Sequence, residues 1–293
     1  MTARPSTFPS PAIAVLMTCH NRRELTLRCL ESLRGQAHFE PENLFLVDDG
    51  STDGTGAAVR AVMPQATVID SDGSLWWNGG MQRAWDAAKA RGGFDHYLWL
   101  NDDVELLDGA LAMLVDEATG HDAVIVTAAT RDPETGRTTY GGSVRTDPLR
   151  PLRFALAEPA GEAQAVDTMS GNITLVSAVA EARLGGLDPR FTHIYGDLDY
   201  GLRAGAAGIP VLLASDFGGL CAGNDPAGSS LDPAASRMER LRRGLAEDGS
   251  VHGRDWRRFV AKHTANPLRR MAHRAAPFAR ILAARPHPAG AGR

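Results

Sequence analysis

Short apolar segments that run into polar or acidic residues recur in the first third of the chain, and they restrict its fold more than any other feature. In residues 97–103, Tyr-Leu-Trp-Leu is followed directly by Asn-Asp-Asp. Residues 13–17, 44–47 and 67–70 are further segments of strand length. A short apolar run is typical of a strand that is buried on both faces of a parallel sheet.

The segments between these strands favour helices. Leu27, Leu30 and Leu33 recur at near-helical spacing, and Gly35 stands where that helix would end. An alternating order of strands and helices builds a parallel sheet with helices on both of its faces. The sequence therefore predicts an α/β fold with a mostly parallel central sheet.

Polar side chains follow three of the predicted strands, namely Asn21, Asp48, Asp49, Asp102 and Asp103. Sheets of this class bind their ligands beyond the carboxyl ends of the strands. Two neighbouring carboxylates repel each other, and a divalent cation with a preference for oxygen ligands relieves the repulsion. These strand ends therefore predict a site for a metal ion and a diphosphate.

Two explanations of the Asn-Asp-Asp triplet stay open when it is taken alone. The acids are either part of such a site or the charged cap of a helix beginning near Leu107. The other acidic strand ends favour the site. The sequence contains neither a Gly-x-Gly-x-x-Gly segment after the first strand nor a Walker Gly-Lys-Ser/Thr motif, which disfavours the common dinucleotide and P-loop folds.

The order of these motifs resembles the family 2 inverting glycosyltransferases, which have the Rossmann-like GT-A fold. The resemblance covers roughly residues 12–220. The matching segments, in chain order, are residues 18–22 (Thr-Cys-His-Asn-Arg), 47–51 (Val-Asp-Asp-Gly-Ser), 101–103, 169–172 (Met-Ser-Gly-Asn), 185–191 and 196–203. Residues 73–81, with the sequence Gly-Ser-Leu-Trp-Trp-Asn-Gly-Gly-Met, are similar to loops of the rhamnosyltransferase-like branch.

The resemblance implies a GT-A domain over residues 12–233, with a nucleotide half at 12–128 and an acceptor half at 129–233. It implies Asp103 as a ligand of Mg²⁺ or Mn²⁺. It also implies donor contacts by a group of residues near the strand ends: Thr18, Asn21, Arg22, Asp48, Asp49, Asn101 and Asp102.

Two departures from the family pattern affect the expected metal site. Asn101 stands at the first position of the usual Asp-x-Asp motif, and its amide oxygen still suits a metal or a sugar hydroxyl. Where many relatives carry a metal-contacting histidine, residues 221–224 read Cys-Ala-Gly-Asn, so no third protein ligand is assigned. Diphosphate oxygens and water are able to complete a magnesium shell.

A second acidic motif, in residues 195–203, implies the catalytic base by the same resemblance. Asp197 falls at the base position, and Gly196 replaces the acid that usually precedes it. Asp199 is expected to contact substrate or to orient the site, with Arg203 one helical turn away. Side chains two positions apart on a helix do not share a face. The alternative is that both acids only cap the helix.

Two further segments are expected to contact substrate. Trp76 and Trp77 lie in a predicted loop beside the nucleotide edge, where Asn78 and Gly79 are expected to contact the donor. The alternative is that the tryptophans simply cover the edge of the sheet. Gly171 and Asn172 are expected to open a strand on the acceptor side, the alternative being a turn.

The predicted reaction is metal-assisted transfer of a sugar, with inversion, from a dTDP- or UDP-linked donor to a glycan or lipid-linked glycan. The first candidate donor is dTDP-rhamnose, on the resemblance of the tryptophan loop alone. One alternative is a nucleotidyltransferase, whose related sheet also uses carboxylates and a metal. Another is a non-catalytic nucleotide- or glycan-binding module, which would explain Asn101, Gly196 and the missing histidine.

Charge divides the chain unevenly. Residues 234–293 contain 14 Lys plus Arg against 4 Asp plus Glu, a net +10, so with a total of −4 the rest carries −14. This tail is predicted to be helical, either packed on the acidic domain or in peripheral contact with an anionic membrane. Nucleic acid is not an expected partner, because no reading motif is present.

Composition predicts a cytoplasmic enzyme, peripheral at the inner face of the cell membrane if the tail binds lipid. The sequence shows no signal core and no apolar stretch of the roughly 20 residues that a membrane span needs. The three cysteines lack metal or catalytic spacing and are expected to be reduced, and residues 1–11 are expected to be disordered.

Overall fold

The computed structural model describes residues 10–224 and 226–283, so the expectation for residues 1–11 falls almost wholly outside the described residues. Thirteen strands occur in the described part: β1 Ile13–Cys19, β2 Leu44–Asp48, β3 Thr67–Asp70, β4 His96–Leu100, β5 Glu105–Leu106, β6 Ile125–Arg131, β7 Thr138–Tyr140, β8 Gly142–Arg145, β9 Phe154–Leu156, β10 Gln164–Ala165, β11 Thr168–Met169, β12 Ile173–Ser177 and β13 Val211–Leu220.

Nine α-helices accompany them within the same residues, together with a short 3₁₀ turn at Pro41–Asn43. The helices are α1 Arg23–Arg34, α2 Thr55–Val62, α3 Trp76–Arg91, α4 Ala110–Ala118, α5 Ala178–Leu184, α6 Gly196–Ala206, α7 Arg237–Gly249, α8 Val251–His263 and α9 Pro267–Ala283. Gly35 follows α1 at its C-cap, as the sequence predicts.

The central sheet has the strand order β3-β2-β1-β4-β12-β6-β13-β10. Strands β3, β2, β1 and β4 are mutually parallel, β12 is antiparallel to both of its neighbours, and β13 is parallel to β6. Six strands therefore run in one direction, which confirms the predicted mostly parallel α/β sheet. Cys19 pairs with Asp48, so the carboxyl ends of β1 and β2 lie side by side.

Alternate residues of the strands pack into two hydrophobic cores, one on each face of the sheet. Val15 and Met17 of β1 pack in the core that contains Leu30 of α1. Leu16 of the same strand packs in the opposite core, which contains Trp85 of α3. Helices thus cover both faces, as predicted, and burial of this apolar area provides the main favourable free energy of folding.

An aromatic cluster fixes α6 against the sheet. The ring of Tyr200 lies 5.1 Å from that of Trp99 on β4 and 5.6 Å from that of Trp85 on α3. All three side chains are fully buried. Aromatic pairs at these distances add to the stability that burial provides, so the start of α6 is held at a defined position beside the strand ends.

Two local predictions are wrong. Helix α4 begins at Ala110 and not near Leu107. The segment 76–80, predicted as a loop, forms the first turn of α3. The reason is Asp49, whose carboxylate accepts the backbone N–H groups of Leu75 and Trp76 and so stabilises the start of this helix.

The C-terminal residues form the predicted helical appendage. Phe259 and Val260 of α8 are buried in a small core with Phe191 and Leu202. Helix α8 therefore packs on the acidic domain, which is one of the two arrangements considered for the tail. Of the helices in the described ranges, none combines the length and the apolar character that spanning a bilayer demands.

Candidate active site

A cleft of about 760 Å³ opens at the carboxyl ends of β1 and β4 and continues toward the start of α6. Nine of the residues predicted from the sequence line it: Thr18, Arg22, Asp49, Asn101, Asp102, Asp103, Gly171, Asn172 and Asp197. Five separate segments of the chain thus meet in one concave site, which is the usual form of a small-molecule site.

Five of the predicted residues do not line the cleft: Asn21, Asp48, Asn78, Gly79 and Asp199. Asn21 accepts the backbone N–H of Thr52 at 2.7 Å, and Asp48 accepts that of Ser51 at 2.9 Å. These two side chains hold the loops behind the strand ends. The structure thus gives both side chains a supporting role, and their contacts with the donor stay predictions.

The acidic triplet forms one wall of the cleft with Arg22. The Arg22 guanidinium donates to Asp103 at 2.8 Å and lies 3.4 Å from Asp102. Burial raises the pKa of Asp102 to about 7; Arg22 opposes the rise and the neighbouring charge of Asp103 adds to it. Asp102 is thus a carboxylate that a further nearby positive charge would stabilise.

The donor atoms of this wall suit a hard divalent cation held partly by substrate. Asp102 and Asp103 offer carboxylate oxygens toward the cleft, the type of ligand that Mg²⁺ and Mn²⁺ prefer. Among the described residues, no group of three or more His, Cys, Asp or Glu side chains is arranged to hold a metal. Further ligands would therefore come from the substrate and water.

Cys221, at the position for which the resemblance implies a histidine, lies next to the acidic triplet. Its thiol lies 3.7 Å from the Asp103 carboxylate. Burial, followed by the charge of Asp103, raises the pKa of Cys221 to about 12. In the absence of a bound cation the thiol is therefore protonated. All three cysteines are free and buried, consistent with the expected reduced state.

The two tryptophans at the start of α3 enter the cleft, whereas the residues after them do not. Trp76 is 44% exposed, and its ring lies 5.3 Å from that of His193. Trp77 donates its indole N–H to the Asn101 side chain at 2.8 Å. Asn78 is buried and donates to the carbonyl of Phe191 at 3.0 Å. The aromatic rings, not Asn78, are therefore available to a ligand.

Position 171 has to be a glycine because the Trp77 ring packs directly against it. A Cβ atom at Gly171 would lie 2.4 Å from the nearest carbon of that ring. The indole can therefore pass directly over the backbone that precedes β12. This packing links the wall that carries Asn101 to the segment before β12 through Trp77 and Gly171.

Asp197 lies in the first turn of α6, with part of its surface open to the cleft. Its two carboxylate oxygens accept the backbone N–H groups of Gly171 at 3.0 Å and Leu198 at 2.8 Å. Burial deep in the cleft raises the pKa of Asp197 in spite of these two donors. The carboxylate is thus oriented, forms no ion pair within residues 10–224 and 226–283, and is a stronger base than a solvated one.

Asp199 is in the opposite situation on the other side of the same helix. Its side chain is fully buried and contacts Arg203 at 2.9 Å, Lys262 at 2.6 Å and His263 at 2.7 Å. Burial alone would raise the pKa of Asp199, but the hydrogen bonds from His263 and Lys262 and the charges of Lys262 and Arg203 lower it. The pairing with Arg203 is confirmed. The side chain does not line the cleft, and its contact with substrate stays a prediction.

The C-terminal helix α8 supports the side of the cleft that leads to α6 through Asp255. One oxygen of this fully buried carboxylate accepts the backbone N–H groups of Thr192, His193 and Ile194 at 2.9, 3.0 and 3.4 Å. The same segment continues into Tyr195, whose left-handed backbone precedes α6. Helix α8 therefore holds the loop that leads to Asp197.

Several cleft residues were not predicted from the sequence: His20, Tyr140, Ser170, His193, Ile194, Tyr195 and Asn224. His20, Ser170 and Tyr195 stand inside or next to the motifs already recognised, so adjacency was an available signal. Tyr140 follows the end of the predicted nucleotide half and has no local motif. Only the pairing of β7 with β6 brings it to the cleft.

Comparison with protein families gives a match over more than half of the chain. The family described as "Glycosyl transferase family 2" matches residues 14–176. This range includes the strand ends and Gly171, and it stops before Asp197. The comparison with curated proteins gave no match.

Three solved structures share the fold at low sequence identity. The mannosyltransferase PcManGT from Pyrobaculum calidifontis, in complex with GDP-Man and Mn²⁺, is 19% identical with a TM-score of 0.53, and the alignment covers 96% of this chain and 78% of that one. GalNAc-T7 with UDP, GalNAc and Mn²⁺ is 13% identical with a TM-score of 0.58, over 93% of this chain and 56% of that one.

TarS from S. aureus is 14% identical with a TM-score of 0.55, and the alignment covers 92% of this chain and 43% of TarS. The chain thus spans about half the length of the latter two proteins. At these identities the likeness concerns the fold alone, and it confirms the predicted GT-A α/β fold. The rhamnosyltransferase-like branch stays a prediction.

Proposed function

Because this chain belongs to glycosyl transferase family 2, we propose that it moves a sugar from a nucleotide-diphosphate donor to a glycan or lipid-linked glycan, with inversion. The observation that carries the proposal is that one cleft contains the acidic pair Asp102 and Asp103 together with the separate carboxylate of Asp197. Such a site has one part for a diphosphate and another for a hydroxyl nucleophile.

Asp197 is the proposed general base. As the acceptor oxygen bonds to the anomeric carbon, the bond from that carbon to the diphosphate breaks and the hydroxyl proton passes to Asp197. Attack opposite the leaving group inverts the anomeric centre in one displacement. The raised pKa of Asp197 favours this proton transfer, and a positioned base typically contributes about 10²–10⁴-fold to the rate.

Asp103, with Asp102 beside it, is the proposed binding position for Mg²⁺ or Mn²⁺. When bound, such an ion neutralises the charge that develops on the leaving diphosphate. Arg22, whose side chain is half exposed, adds positive charge at the same wall. Thr18 and Asn101 line this part of the cleft and are proposed to contact the donor.

Trp76 and Trp77 are the proposed contacts for the base or sugar of the donor, because a ring face stacks well on both. Asp49 also lines the cleft, but its carboxylate already accepts several N–H groups of the turn before α3. Gly171 and Asn172 are proposed to contact the acceptor. The donor is proposed to be dTDP- or UDP-linked, with dTDP-rhamnose as the first to test.

A panel of nucleotide sugars tests the proposal in two steps. Thermal shifts with and without Mg²⁺ or Mn²⁺ identify a donor, which is expected to stabilise the protein more when metal is present. Transfer to oligosaccharide and lipid-linked acceptors is then followed by release of the nucleoside diphosphate. The anomeric configuration of the product, read by proton NMR, tests inversion.

Three results would contradict parts of the proposal. Pyrophosphate release from a nucleoside triphosphate would indicate a nucleotidyltransferase. Tight donor binding without turnover on any acceptor would indicate a binding module. A product that keeps the donor's anomeric configuration would exclude the single displacement through Asp197.

A further inference from the structure

Helix α9 presents an apolar stripe to solvent. Leu268 and Met271 are 76% and 68% exposed, and Ala272, Ala275 and Ala279 are exposed as well. Positions separated by three, four, seven and eleven residues lie on one face of a helix. We call these five residues the α9 stripe; within the described residues, no side chain covers it.

The opposite face of α9 is packed against the protein. His273 and Ile281 are buried. A Cβ atom at Gly244 on α7 would lie 2.6 Å from Ile281, which shows how closely the two helices approach. The helix is therefore anchored through one face, and the α9 stripe is the face that points away from the fold.

Arginines border the stripe on both sides. At about 100° per residue, Arg269 and Arg280 fall on one flank and Arg274 on the other, and all three are exposed. The helix contains no Asp or Glu. An apolar face between cationic flanks is typical of helices that lie in the interface of an anionic membrane.

We propose that the α9 stripe docks on an anionic lipid bilayer, with the helix lying parallel to the membrane surface. The charge of the surface favours lipid over a second copy of the chain. A symmetric dimer would bring identical arginine-flanked faces together, whereas anionic headgroups attract each arginine. Docking rests on the surface of α9 and does not depend on the proposed sugar transfer.

Co-sedimentation of the full-length protein with vesicles tests the proposal without any donor or acceptor. Binding is expected to phosphatidylcholine vesicles containing about 30% phosphatidylglycerol, with much weaker binding to pure phosphatidylcholine and at about 0.5 M NaCl, where charges are screened. The double variant Leu268→Asp, Met271→Asp is expected to bind at least about tenfold more weakly, since it replaces apolar contacts with repelled charges.

Met238→Asp is the matched control, because Met238 is 75% exposed on α7 outside the stripe. This variant is expected to bind vesicles like the unmodified protein. Melting curves check that both variants fold, and donor hydrolysis in solution shows whether the cleft still works. Loss of vesicle binding with retained hydrolysis separates docking from the proposed reaction.

Two outcomes would overturn the proposal. One is vesicle binding that is equal for neutral and anionic lipid or unchanged in the double variant. The other is absence of binding to anionic vesicles. If the protein is then a dimer by light scattering that the double variant converts to a monomer, the stripe is an interface between copies of the chain.

Discussion

Two aspartates that stand two residues apart on α6 are expected to respond oppositely to the same substitution. Asp199 is fully buried among Arg203, Lys262 and His263. Asp197 has backbone N–H partners and the cleft. Replacement by Asn keeps the shape of either side chain and removes its charge. Each variant therefore serves as the matched control for the other.

Asp199→Asn is expected to destabilise the fold strongly. It removes the carboxylate partner of the Arg203 guanidinium and leaves the Lys262 ammonium with Asp188 alone, at 2.6 Å. Removal of one partner from a buried ion pair typically costs about 3–5 kcal/mol. At roughly 2–4 °C per kcal/mol for a chain of this size class, the melting temperature should fall by on the order of 10 °C.

Asp197→Asn is expected to change stability by no more than about 1 kcal/mol. The substitution loses one of the two backbone hydrogen bonds, because the amide NH₂ group cannot accept, and this loss is offset by removal of a buried charge whose desolvation raises the pKa of the acid. Turnover should fall by about 10²–10⁴-fold, since an amide does not accept the hydroxyl proton. Donor affinity should change little, because the proposed metal and diphosphate contacts lie on the other wall.

Chemical denaturation gives the free energy of unfolding of both variants, and turnover is measured well below the melting temperature of the weaker one. Near-normal transfer by Asp197→Asn at saturating donor and acceptor would remove Asp197 as the base. An Asp199→Asn protein that kept its stability but lost turnover would show that the buried ion cluster serves the reaction and not the stability of the fold. Equal destabilisation by both substitutions would refute the contrast between the two environments.

Asp103→Asn should weaken metal-dependent donor binding as well as turnover, which calorimetric titration with and without Mn²⁺ would detect. Turnover should be lost on the acid side at a pH above the ordinary carboxyl pKa of about 3.9, because burial raises the pKa of Asp197 and the base must be deprotonated. A pH profile in which turnover persists below that pH would contradict this. Asp255→Ala leaves three backbone donors without their acceptor, and it should raise the acceptor KM more than the donor Kd. The pKa of Asp199 is lowered in the folded state, so this group stabilises the fold above pH of about 3.9, and the stabilisation is lost as pH falls through the lowered pKa. Lys262→Met should therefore make the free energy of unfolding depend less on pH below about 4, as measured by chemical denaturation.

The sequence by itself determined the sheet and the edge at which the site lies. The apolar runs that end at Asp48 and in the Asn-Asp-Asp triplet form β2 and β4, which flank β1. Their pattern was readable because a strand buried on both faces needs apolar residues at every position. Parallel strands then place their carboxyl ends at a common edge, so the acidic ends converge without further information.

Only the tertiary structure decided which of these polar residues face the cleft. Asp49 lines it and Asp48 does not, and the same holds for Asp197 over Asp199. Each pair occupies adjacent or nearly adjacent positions with the same chemistry. The orientation of each side chain depends on where the strand ends and how the helix is rotated by its packing, for example by Tyr200 on α6.

The role of the tail was also decided by tertiary structure. In the sequence, Asp255 and Lys262 look like ordinary charged residues of an amphipathic helix. In the structure, Asp255 binds the loop before α6 and Lys262 binds the buried Asp199, each from more than 60 positions away along the chain. No local pattern encodes such partners, because a contact between distant segments depends on the packing of both. The sequence specifies the elements and their chemistry, while their packing selects the partners of each charge.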